Sequence, residues 1–90
     1  MEVFEQDLDY TLSTIKSTLL EKNRKYGDSA LNPSRIFSKQ DSIEQIKVRI
    51  DDKLTRLKNQ QDDEDEDAEF DLLGYLILLR IAREREKRNA

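Results

Sequence analysis

Residues 42–59, SIEQIKVRIDDKLTRLKN, decide the fold. Ile43, Ile46, Ile50, Leu54 and Leu57 return at intervals of three, four, four and three, which lays one apolar stripe along an α-helix. Two capping boxes compete for the start: Ser42 with Gln45, and Asp41 with Glu44. Away from the stripe, Lys47, Arg49, Asp51, Asp52, Lys53, Arg56 and Lys58 alternate in sign. Arg49 with Asp52, and Asp52 with Arg56, stand three and four apart, where opposite charges support a helix. A helix is predicted over about residues 42–59.

Toward the N-terminus the same code recurs. Phe4, Leu8, Leu12, Ile15 and Leu19 follow at four, four, three and four, predicting a helix over about residues 3–25. Glu2, Glu5, Asp7 and Asp9 suit its positive end, and Lys22, Arg24 and Lys25 its negative end. Thr11, Ser13, Thr14, Ser17 and Thr18 lower the local propensity, so tertiary packing must hold this helix. Gly27 ends it, since glycine takes positive φ without a steric cost. Residues 28–41, DSALNPSRIFSKQD, form a loop in which Pro33 disfavours helix at Asn32. Leu31, Ile36 and Phe37 predict that it folds back onto the helices, either as a functional loop or as a packed connector.

Toward the C-terminus, seven of the eight residues 62–69 are acidic, which reads as a self-repelling linker or as the start of a third helix. From Leu72 to Ala82, nine of eleven residues are apolar, counting Tyr75. Phe70, Leu73, Ile77 and Ile81 make one stripe, while Leu72, Leu76 and Leu79 occupy another side. A helix apolar almost all round must be buried on most faces, and two other helices cover only part of it. A homodimer is therefore expected. The basic tail is expected to fray near residue 86. No stretch alternates with period two. The fold class predicted is all-α: one domain over residues 1–90, with three principal helices in an obligate oligomeric bundle.

Composition narrows the function. Ninety residues carry 16 Lys+Arg against 20 Asp+Glu, with no Cys, His or Trp. A monomer of this size buries only about 60–65% of its unfolded-chain surface, which leaves stability marginal without a partner. Without Cys or His there is no disulfide framework, zinc finger, thiol nucleophile or imidazole base. Chemistry is left to carboxylates, amines, hydroxyls or a hard metal held by oxygen. The net charge of −4 argues against broad nucleic-acid binding. MEVFEQDLDY has no basic n-region, and the greasy stretch Leu72 to Leu79 is too short to span a bilayer, so neither export nor a membrane is expected. The location expected is the cytoplasm.

Three groups of residues carry candidate chemistry. On a helical wheel Glu64, Asp67 and Asp71 share one ridge that runs into Gly74 and Leu78. Carboxylates converging from adjacent turns suit Mg²⁺; alternatively, Glu64 and Asp67 are ordinary helix-start acids and Asp71 is paired to a base of the second helix. Asp51 and Asp52 lie about 100° apart on their helix, so they cannot both face one core. Lys47, Arg49 and Arg56 offer cations for phosphate, Arg bidentately. In the Lys25-Tyr26-Gly27-Asp28-Ser29 segment, Tyr26 either lines a base or phosphate pocket or seals the core. No P-loop and no dinucleotide fingerprint is present.

EKNRKYGDS at 21–29, RIDDKLTRLKN at 49–59 and DAEFDLLGYLILL at 67–79, in that order, carry a family resemblance. The chain resembles the small, largely phage-encoded branch of the MazG-like superfamily of all-α nucleoside triphosphate pyrophosphatases. It is especially similar to the group described as nucleotide-modification-associated domain 1. The resemblance implies a dimer or tetramer that cleaves (d)NTP to (d)NMP and pyrophosphate, in the host cytoplasm if phage-encoded. It implies Mg²⁺, with Mn²⁺ able to substitute, on Asp52, Glu64, Asp67 and Asp71, with Glu21 and Asp51 as additional ligands. Lys53, Asp52 and Arg56 would take catalytic roles, and Lys25, Tyr26, Asp28 and Arg49 would hold substrate. The family's ExxE pair is not matched around Asp52, whose neighbours three residues away are Arg49 and Thr55. The rival expectation is a non-catalytic helical homodimer serving as a phage accessory or host-protein-binding module.

Overall fold

A computed structural model describes residues 2–31, 41–59 and 67–89. These residues form three helices: α1 (Glu2–Tyr26), α2 (Ser42–Lys58) and α3 (Ala68–Arg88), with no strand among them. The all-helical expectation holds. Most of the loop, including Ile36 and Phe37, and most of the acidic run, including Glu64, lie outside the described residues.

The end of α1 and the starts of α2 and α3 each have an identifiable cause. Gly27 and Asp28 follow α1 at φ +63° and +62°, and the Asp28 N–H donates to the Asn23 carbonyl at 3.1 Å. That is a Schellman closure, in which the left-handed glycine lets the chain reach back over the last turn. Asp41 caps α2, its Oδ1 accepting from the Glu44 N–H at 2.9 Å, so of the two start signals the Asp41 box prevails. Asp67 caps α3 in the same way, its Oδ1 accepting from the Phe70 N–H at 3.0 Å. Helix α3 runs to Arg88 rather than fraying near residue 86. The hydroxyls of Thr11, Thr14 and Thr18 donate to carbonyls four residues back, which satisfies them within α1.

Helices α2 and α3 pack along one another, whereas α1 packs on α3 alone among the described residues. The most buried apolar residues are Ile46 on α2 at 2% exposure and Ile15 on α1 at 3%, joined by Ala68 and Ala82 on α3. Small residues let the helices close: a methyl placed on Gly74 would lie 3.3 Å from Leu19 Cδ2 and 3.8 Å from Ile15 Cδ1. The apolar girdle of α3 is only partly covered, for Leu73, Leu76 and Ile81 remain exposed. Among the described residues, no helix is long and apolar enough to cross a membrane.

Candidate functional site

Because α1 meets α3 but stands off from α2, a pocket of about 460 Å³ opens between them, within the usual range for small-molecule sites. Its floor is apolar, from Ile15, Leu19, Ile46, Gly74 and Leu78. Its polar rim comes from Lys22, Asn23, Tyr26 and Ser29 at the end of α1, Gln45 and Arg49 on α2, and Asp71 on α3. The geometry follows from the sequence pattern. The α1 stripe, continued past Leu19 in steps of three and four, reaches Lys22 and Tyr26. On α3 the ridge Asp71, Gly74, Leu78 faces inward as a wheel requires.

Asp71 is the one carboxylate on this wall among the described residues. Lys53 Nζ stands 3.4 Å from its Oδ2, and Lys22 Nζ stands 3.6 Å from its Oδ1. Lys53 is the more sheltered partner, its side chain only 12% exposed, so the Lys53–Asp71 pair is the less screened of the two. The pairing of Asp71 to a base of the second helix, one of the two open readings of the ridge, is therefore present, with a second base from α1.

The remaining candidate residues do not gather there. Asp67 spends its carboxylate on the α3 cap. Asp52 pairs with Arg56 at 3.4 Å on the outer side of α2, and Asp51 is exposed on the same helix. Glu21 pairs with Arg24, and Asp28 with Arg85 at 3.6 Å. Lys25 lies 5.4 Å from the centre of the Tyr26 ring, within cation–π reach but off the pocket wall. Of the substrate-binding set, the pocket thus joins Tyr26 and Arg49, and of the metal set it takes Asp71 alone. Glu64 lies outside the described residues.

A Mg²⁺ ion needs several oxygens around it. Among the described residues no three acidic side chains stand together, and the pocket's carboxylate is already flanked by two ammonium groups. These residues of one chain do not by themselves fit the ion.

Sequence reasoning overlooked Lys22 and Asn23, and read Lys22 only as a helix-end charge. The signal was its place on the stripe: Lys22 follows Leu19 by three and precedes Tyr26 by four. No family model, no curated protein and no solved structure matches this chain.

Proposed function

We propose that the chain is a nucleoside triphosphate pyrophosphohydrolase, turning (d)NTP into (d)NMP and pyrophosphate as a cytoplasmic homo-oligomer, dimer or tetramer. One observation carries the reading: the three stretches that bear the MazG-like resemblance meet in one pocket. Residues 21–29 supply Lys22, Asn23 and Tyr26, residues 49–59 supply Arg49, and residues 67–79 supply Asp71 and Gly74. The arrangement suits a phosphorylated ligand with a flat base. Arg49 and Lys22 present cations to phosphate oxygens, Tyr26 offers a ring face, and the apolar floor excludes water from one side. Asp71 holds Lys22 and Lys53 in place, and among the described residues it is the pocket carboxylate that orients an attacking water by accepting its hydrogen bond.

Mg²⁺, with Mn²⁺ as substitute, belongs to this proposal by resemblance. Its further oxygens would have to come from Glu64, from a second copy or from the substrate. A second reading, binding without cleavage, has an observation of its own: the pocket's acid is neutralised by two lysines.

The test is a hydrolysis panel over ribo- and deoxynucleoside triphosphates with Mg²⁺, separating nucleotide from phosphate products. Monophosphate plus pyrophosphate is expected, with at least a hundredfold loss in Asp71→Asn at unchanged helix content. Thermal stabilisation by nucleotide without turnover would favour binding alone. Neither effect would leave the accessory-module reading.

A further inference from the structure

Among the described residues the α1 stripe is covered only over part of its length. Ile15 is buried, but Leu12 is 52% exposed, Leu8 43% and Phe4 70%. Water on such a stripe is unfavourable by about 25 cal/mol for each Å² of apolar surface. The same half of α1 is wholly acidic in its charges: Glu2, Glu5, Asp7 and Asp9 precede the first base, Lys16. Helix α3 carries the complement. Its last turns hold Arg80, Arg83, Arg85, Lys87 and Arg88 against Glu84 and Glu86. Leu73, Leu76, Arg80 and Arg83 follow at three, four and three, so they share one face, well round the helix from Gly74 and Asp71. Leu73 and Leu76 are exposed on that face, and Arg83 has no ion-pair partner among the described residues.

We propose that a second copy of this chain covers the stripe, with α1 of each copy lying antiparallel on that α3 face of the other. In this register Glu5 meets Arg83, Asp9 meets Arg80, and Leu12 meets Leu76, while Leu8 fills the space between. Seven residues separate the ends of both series, so the two helices stay in step over two turns. A two-fold arrangement makes every contact twice, as an isologous dimer interface does. The charge order also selects the direction: a parallel pairing would set the acids of α1 against Leu73 and Leu76, leaving Arg83 unmatched and Arg80 with only its exposed 3.8 Å pair to Glu84. This interface rests on the homo-oligomer part of the reading above and is independent of the nucleotide chemistry.

The experiment is sedimentation velocity on the full chain and two charge-reversed variants, Glu5→Lys/Asp9→Lys and Arg80→Glu/Arg83→Glu, with circular dichroism confirming that both stay helical. The unaltered chain is expected to sediment as an assembly that weakens with added salt. Each variant alone is expected to fall to monomer mass, and an equimolar mixture of the two is expected to recover the dimer, since opposite reversals restore both contacts. An unaltered chain that is already monomeric overturns the interface and the homo-oligomer reading together, leaving the stripe to a different protein. An assembly that both variants retain, or a mixture that stays monomeric, overturns this interface alone.

Discussion

The two halves of α1 obey one sequence rule and meet opposite fates. Ile15 and Leu19 come to rest over Gly74 of α3, while Leu12 and Leu8, one and two turns earlier on the same stripe, stay about half exposed. Spacing in threes and fours states which face of a helix wants cover. It does not state what supplies the cover. In the second half of α1, the neighbour is a glycine ridge of the same chain, and the junction makes a pocket. In the first half, no other helix supplies a neighbour among the described residues.

The largest effect expected from this contrast is on stability. Ile46→Ala removes a side chain buried between helices and should cost about 3 kcal/mol in urea unfolding. Leu12→Ala, placed in the charge-reversed Glu5→Lys/Asp9→Lys background to remove assembly, should cost less than about 0.5 kcal/mol. Equal losses would mean that the exposed half of the stripe is packed after all. Next comes the capping acid beside the pocket. Asp67→Ala should cost about 1 kcal/mol, whereas Asp67→Ser keeps an N-cap acceptor and should restore most of it. The serine variant also sharpens the site: full turnover is expected if the carboxylate serves α3 alone, and lost turnover at full stability would return Asp67 to the metal set. The smallest effect belongs to Gly74→Ala. Helix propensity gains about 1 kcal/mol, but the new methyl sits 3.3 Å from a Leu19 methyl that must yield, so thermal unfolding should place the net within about 0.5 kcal/mol. A larger loss would show that the α1–α3 contact is rigid.

Much of the site was legible residue by residue. Tyr26, Arg49 and Asp71 were candidates on motif grounds and share one pocket. The acids were harder to read, because a carboxylate near a helix start has several uses of similar energy. Asp67 caps, Asp52 pairs one turn along its own helix, and Asp71 pairs across to α1 and α2. A wheel placed Asp67 and Asp71 on one ridge, but Asp67 precedes the first helical residue in an extended conformation, and the ridge ends there.

The sequence by itself determined three helices, the limits of α1 and α2 within one residue, and the apolar face of each, while the acidic run left the start of α3 open between linker and helix. These follow from local rules: capping acceptors, a left-handed glycine and apolar side chains repeating with the helical period. Only the tertiary structure decided that α1 lies on α3 and away from α2, that a pocket opens in that gap, and that Lys22 reaches Asp71 from 49 residues away in the chain. Burial is non-directional, so an apolar stripe accepts any apolar neighbour of fitting shape. Which neighbour it takes depends on how small residues such as Gly74 let backbones approach, and that choice exists only once the helices are packed together.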